Sequence, residues 1–332
     1  MARFASSLSR RTLCARPGFL GLGFLVAVSV AGLAARESWV AEALVNFRWQ
    51  LGLGGLVASI LLATGGRFVF AAVALAISSA HLGPAAMLYV GRPSPPAGAV
   101  SVRVASLNLN YENRASDRLR AWLRGDRFDL VAFLEVGSFW KSEIESLRAD
   151  FPNEVIAPFD DSKDPSCCGL ALLSRLPLEG VRIHSGDWGI RPVIECAAKV
   201  GSEALHVVVA HPNRLGDAER TRSHNDTLRW LGEGIVWTDR SILLGDLNAT
   251  LYSPEFGDLL ERSRLRDSRQ GFGRLPTFDF DRYVDGMWLD LDHILVGRSV
   301  VVADRAVGPA VGSDHLPVTA TLCVAPSSST PK

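Results

Sequence analysis

The sequence predicts an α/β body, sheets covered by helices, preceded by transmembrane α-helices. Three observations carry this. From residue 101 onward, short apolar or β-branched runs alternate with amphipathic or polar stretches, the pattern of layered sheets and helices. Before residue 91 stand three apolar stretches, at 18–35, 51–65 and 68–90. Between the two regions lies residues 91–100, a Pro/Gly linker that cannot continue a helix.

The apolar head comes first. A spanning helix needs about 20 mainly apolar residues, so the first and third stretches qualify directly, and the second does so by borrowing Trp49 and Gln50. About three spans result, near 18–35, 49–65 and 68–90. Arg3, Arg10, Arg11 and Arg16 precede the first span with no acidic residue among them, which puts the N-terminus in the cytoplasm. Arg67 then falls in the inner turn, and three crossings leave the body outside: a multi-pass protein of the cytoplasmic membrane with an extracytoplasmic body. Ser9-Arg10-Arg11 and the small residues 31–35 also resemble a cleaved twin-arginine leader. Cleavage would leave two further apolar stretches unexplained, so integral anchoring is the preferred reading. Inside the third stretch, His81 and Gly83-Pro84 read as a helix end near the interface.

Charge divides the chain at the same place. Residues 1–90 hold 7 of the 35 Lys/Arg and 2 of the 35 Asp/Glu, leaving 28 and 33 for the rest. A basic head and a mildly acidic body hide behind formal neutrality. Nucleic-acid binding is open to such a body but not favoured by it, since proteins that grip phosphate backbones cluster Lys/Arg. The densest run, Arg262, Arg264, Arg266 and Arg269, is interleaved with Glu261 and Asp267 and reads as a solvated surface. Cys14, Cys167, Cys168, Cys196 and Cys323 show no metal-binding spacing and are too few for a disulfide scaffold.

Within the body, strands are expected at 102–107, 130–134, 170–173, 193–199, 205–210, 242–244, 291–296 and 318–324, and helices at 115–124, 138–149 and 217–231. The tail 326–332 has a disordered composition. Polar residues gather at strand ends, where loops on a rigid frame assemble chemistry. Asn108 follows the first strand, Glu135 closes the second, and His211 closes the strand that ends at Ala210. Leu243-Leu244-Gly245-Asp246-Leu247-Asn248-Ala249 sets an acid and an amide two residues apart after a buried strand, so both point to one side. Asp246 can take a proton or orient water, and Asn248 can donate to a phosphoryl oxygen without adding charge. Asp290 and Asp292 both stand at a strand start. Ser313-Asp314-His315-Leu316-Pro317 supplies an Asp-His pair.

In this order the motifs resemble those of the endonuclease/exonuclease/phosphatase superfamily: Asn, Glu, His, Gly-Asp-x-Asn, Asp before His, and Ser-Asp-His-x-Pro. The match spans about residues 102–322, and 169–175 is similar to the family's middle strand. The resemblance implies a four-layer β-sandwich of the DNase I-like type and a metal-dependent phosphoric ester hydrolase. It implies that Glu135 binds Mg²⁺ or Mn²⁺, with Asn108 and Asp314 close to metal and phosphate. His315 is then the general acid/base held by Asp292, Asp246 orients the attacking water, and Asn248 and His211 contact the phosphate. Asn110 stands where some nuclease members carry Asp, which speaks against a second metal position. The phosphate-gripping Tyr of one nuclease branch has no counterpart.

Several spans followed by such a body resemble membrane-anchored bacterial members such as the VanJ group, which implies a phosphorylated substrate linked to membrane lipid. Rival readings are an extracytoplasmic nuclease acting on DNA and a catalytically silent membrane module that binds a partner.

Overall fold

The computed structural model describes residues 2–157, 169–185, 191–279 and 287–325, with side chains from residue 15 onward. Helix α1 (Ala2–Ala31) runs unbroken through Pro17 into a 3₁₀ turn at Gly32–Ala34, so the first expected span is the latter part of a longer helix. The segment 36–50, which carries charges of both signs, holds a further short helix, α2 (Trp39–Val45), with the Ser38 hydroxyl accepting from Ala41 N at its start. It is followed by α3 (Arg48–Thr64) and α4 (Phe68–Met87), and α4 continues past Gly83-Pro84 instead of ending there.

The stretch Ala15–Ala34 and α4 are each long and apolar enough to cross a membrane. The α2–α3 pair passes that test only together, as one span bent by 65°, so among the described residues the count is two, or three with the bent pair. Helix α3 packs against both α1 and α4. Small residues permit the close approach: a Cβ on Gly21 would come within 2.9 Å of the Ala58 Cβ, and one on Gly55 within 2.2 Å of the Ser78 Oγ.

The body consists of β1 (Val100–Asn108), α5 (Ser116–Gly125), β2 (Leu130–Leu134), α6 (Ser138–Glu145), β3 (Asn153–Ala157), β4 (Leu170–Ser174), β5 (Leu178–His184), β6 (Val193–Val200), β7 (Glu203–Ala210) and α7 (Ala218–Glu233). It continues with β8 (Ser241–Asp246), α8 (Pro254–Ser263), β9 (Arg266–Asp267), β10 (Phe278–Asp279), β11 (Trp288–Leu289), β12 (Asp292–Val296), β13 (Val300–Val307) and β14 (Val318–Val324). The first sheet has the order β13-β14-β1-β2-β4-β3, the second β5-β6-β7-β8-β12-β9, and β10-β11 form a ribbon. Each sheet contains one parallel pair, β1/β2 and β7/β8, near its middle.

Alternating residues of the two inner faces, among them Val104, Leu130, Ala132 and Leu134 against Val207, Val209, Ile242 and Leu244, form the central core. Each such side chain, fully buried, contributes about 1.5–3 kcal/mol. Helices α5 and α6 cover the first sheet through Leu119, Trp122, Trp140 and Ile144. Helices α7 and α8 cover the second through Leu228, Leu231, Phe256 and Leu259. The result is the expected α/β/β/α four-layer sandwich.

Besides the two-residue strands β9, β10 and β11, four elements of the body escape the apolar pattern. Strand β5 is an edge strand exposed over most of its length, so it lacks a buried face to read. In β13 the run is interrupted by Asp304 and Arg305 beside a bulge after Val302. Strand β3 is short and half-buried, and α8 is a short helix that opens on Pro254. Helix α6 ends at Glu145, four residues before its expected end, and gives way to a turn. The linker lies on the body, for the Arg92 guanidinium sits 4.6 Å over the Phe272 ring and donates to Ala303 O. Cys196 and Cys323 are free and buried. The side chain of Cys14, the pair Cys167-Cys168 and the tail 326–332 fall outside the described residues.

Candidate active site

Because β1 and β2 are parallel and paired from Val104↔Leu130 to Asn108↔Leu134, Asn108 and Glu135 leave their strands side by side. In the second sheet β8 ends where antiparallel β12 begins, with Asp246 opposite Asp292. The sheets meet at these ends. Asn108 Nδ2 donates to Glu135 Oε1 at 3.1 Å and to Asp246 Oδ2 at 3.0 Å, joining the two sheets through one amide. Among the described residues, non-glycine positions with positive φ are Asn110, Glu135, Asn248 and Arg264, and the first three stand at this junction. Such backbone costs about 1–3 kcal/mol per residue and persists only where its surroundings hold it.

His315 is buried beneath Phe278, ring centroids 4.7 Å apart. Its Nδ1 lies 2.8 Å from Asp292 Oδ2, and its Nε2 faces Asp246 Oδ2 at 3.7 Å. Thr277 Oγ1 also donates to Asp292 Oδ2, at 2.6 Å. Burial alone would lower the imidazole's affinity for protons, but Asp292 and Asp246 outweigh it and raise its pKa to about 10. Burial raises the Asp246 carboxyl above its ordinary value, with Asp292 adding to the rise against the opposing charges of His315 and His211. Asp290, the other candidate for holding His315, is turned away and paired instead with Arg269 at 2.8 Å and Arg274 at 2.7 Å.

His211 Nδ1 bonds the Asp246 carbonyl at 3.0 Å, while its Nε2 lies 3.4 Å from Glu135 Oε1 without a hydrogen bond of good geometry. Burial pushes the Glu135 carboxyl up. His211, Asn108 and His315 more than reverse this and bring it down to about 2. Asp314 does not touch Glu135 directly; it is tied in through Asn110, whose Nδ2 donates to its Oδ1 at 2.9 Å. Ser313 Oγ donates to the Asn108 carbonyl, and Asn248 Nδ2 donates to the Pro212 carbonyl at 3.1 Å. All eight residues singled out in the sequence therefore lie along one seam. Thr277 and the Asn110 bridge were not legible, since their partners are distant in sequence and nothing in their own neighbourhoods marks them.

The donors suit a hard cation. Glu135, Asp246, Asp292 and Asp314 offer carboxylate oxygens, and Asp292 Oδ1 and His211 Nε2 are buried without a hydrogen bond. Ligand atoms of Asp246, Asp292 and His315 lie within 4.8 Å of one another. In that group the Asp292–His315 hydrogen bond already occupies Nδ1, which leaves Glu135 with Asn108 as the more open oxygen-bearing side.

The chain belongs to the Endonuclease/Exonuclease/phosphatase family, whose profile matches residues 105–315, and is a phosphoric ester hydrolase of that class. No curated protein matches it in sequence. Among solved structures it is similar to an endonuclease/exonuclease/phosphatase from Beutenbergia cavernae, at 20% identity and a TM-score of 0.54, covering 68% of this chain and 72% of that one. It also resembles D. rerio TDP2 complexed with a single-strand DNA product, at 15% identity and a TM-score of 0.51, covering 67% and 98%. A variant of Staphylococcus aureus beta toxin with bound magnesium ions matches at 16% identity and a TM-score of 0.50, covering 66% and 99%. At these identities the likeness concerns the fold.

Proposed function

We propose that the protein hydrolyses a phosphoester or pyrophosphate bond of a lipid-linked envelope substrate, with Mg²⁺ or Mn²⁺, while anchored in the cytoplasmic membrane by residues 1–90. The observation that supports hydrolysis most is the His315–Asp292 pair facing Asp246 beside the Glu135–Asn108 cradle. Glu135 would hold the metal, with Asn108 and Asp314 near it; a hard cation there supplies neutralisation of the phosphoryl charge. The magnesium of the beta toxin structure is in keeping with that choice. Asp292 fixes the orientation of the His315 ring, leaving Nε2 to hold and transfer a proton. Asp246 orients the attacking water, and the Asn248 amide and His211 contact phosphate oxygens. Asn110 bridges to Asp314 without charge, which supports a single metal position.

The helices support the membrane reading. The body sits against one end of the bundle, where Arg36 pairs with Asp258 and Gln50 donates to the Trp288 carbonyl. At the opposite end Phe19 packs on Phe70, and Arg67 stands at the residue preceding α4 there. This arrangement fits a cytoplasmic N-terminus and an extracytoplasmic body, with a site that meets lipid headgroups at high effective concentration.

The test offers the purified full chain a polyprenyl pyrophosphate and DNA side by side, with Mg²⁺ or Mn²⁺ and with His315→Ala as control. The expected result is metal-dependent phosphate release from the lipid, reduced by about 10²–10⁴ in His315→Ala. DNA cleavage with the lipid untouched would overturn the lipid assignment in favour of a nuclease.

A further inference from the structure

The membrane helices do more than stand beside the body, for their polar residues grip the loop that follows Asn248. Asn46, the residue that ends α2, is buried, and its Oδ1 accepts from both Thr250 N at 2.9 Å and Thr250 Oγ1 at 2.8 Å. Its own Nδ2 donates to the Glu42 carbonyl at 3.1 Å, so the whole amide is engaged and its orientation is set by its partners. The buried Glu42 carboxylate accepts from Asn225 Nδ2 at 3.0 Å and Ser253 Oγ at 3.5 Å. Next to Asn225, His224 Nε2 reaches the Leu247 carbonyl at 3.0 Å. Tyr252 OH donates to the His81 carbonyl at 2.8 Å.

Between these grips lies Asn248, at φ 50. The body holds the near side of this left-handed turn: Asn248 N donates to Asp246 Oδ1 at 2.9 Å, and His293 Nε2 bonds the Ala249 carbonyl at 2.8 Å. The far side, two residues beyond Asn248, is held from the membrane head. An unpaired buried amide or carboxylate would cost about 1–3 kcal/mol or more, so these head residues are committed to the loop.

We propose that Asn46, supported by Glu42, is a positioning residue for hydrolysis, holding from the membrane side the loop that carries Asp246 and Asn248. The proposal rests on the catalytic reading above. It makes the head part of the working enzyme as well as its anchor.

The test uses the full chain in detergent micelles with Mg²⁺ and bis(p-nitrophenyl) phosphate, comparing Asn46→Ala, Thr250→Val, Thr250→Ser and the Asn46→Ala/Thr250→Val pair. Asn46→Ala and Thr250→Val should lower kcat per folded molecule by about ten- to hundredfold and raise KM. Thr250→Ser, which keeps the hydroxyl, should retain wild-type kinetics, and the pair should be no worse than either single change. A lowered melting temperature with kcat and KM per folded molecule unchanged, or effects that multiply in the pair, would overturn the proposal. A wild-type chain that turns over no phosphoester would instead sink the hydrolase reading. The clamp is then read by hydrogen exchange, where amides 247–251 should exchange faster in Asn46→Ala, and unchanged exchange overturns it.

Discussion

The two sheets bring different chemistry to their common seam. The first sheet contributes Asn108, buried at 1%, the Glu135 side chain, about one-fifth exposed at 20%, and, on the loop into β14, His315. The second contributes His211, Asp246 and Asp292, whose side chains are sealed at 2%, 1% and 0%. The difference has a physical logic. In the proposed hydrolysis a cation and its phosphate must arrive from solvent and leave again, which suits the partly exposed Glu135. The proposed proton-transfer pair, Asp292 with His315, gains from low dielectric, which strengthens its attraction, and both side chains are sealed.

Glu135→Gln breaks the open half. It removes a charge that the site keeps ionised down to about pH 2, and the metal concentration needed for half-maximal activity should rise by roughly ten- to hundredfold or more. A Mg²⁺ titration of turnover checks this; recovery at high Mg²⁺ is expected, because His315 and Asp292 are untouched. An unchanged titration curve would mean that the metal is held on the sealed side, by the Asp246, Asp292 and His315 group.

The sealed half carries a stability cost that acid exposes. His293 on β12 is buried against Phe256, ring centroids 4.5 Å apart, and burial together with Arg269 lowers its pKa to about 4. Unfolded chains bind a proton on this residue below about pH 6.5 while the folded chain does so only near 4, so stability falls as pH drops through that window. The loss is about 3 kcal/mol from the width of the window. Denaturant unfolding at a series of pH values should show it in the wild type and a flatter acid limb in His293→Gln. Equal slopes would place the buried charge elsewhere.

Much of this arrangement was legible in the residues. Asn108, Glu135 and Asp246 are strand-end groups after apolar runs, and His315 stands in the Ser-Asp-His-Leu-Pro motif just before β14; strand ends are where side chains of both sheets can converge. The choice between Asp290 and Asp292 was not legible. Two carboxylates flank one leucine, and only the pairing of Arg269 and Arg274 with Asp290 assigns the pair. Arg269 belongs to the basic run expected on the solvated surface and is instead buried between Asp267 and Asp290. The head was legible as apolar but not as polar: Glu42 and Asn46 fall in a stretch of mixed charge whose partners, Asn225 and Thr250, lie more than 180 residues away. Local pattern carries no information over such separations. Strand β5 was hidden because an exposed edge strand has no buried face to alternate, and β13 because Asp304, Arg305 and the bulge after Val302 break its apolar run.

The comparison of Asp292→Asn with Asp290→Asn in the full chain, as kcat per folded molecule, tests the assignment on which the account turns. The expected result is a loss of about 10²–10⁴ for Asp292→Asn, since the imidazole loses the carboxylate that orients it. For Asp290→Asn the expected result is lowered stability, from the weakened pairing of this residue with Arg269 and Arg274, with kcat within a few-fold of wild type. A large loss of kcat at Asp290 with Asp292→Asn near wild type would contradict it.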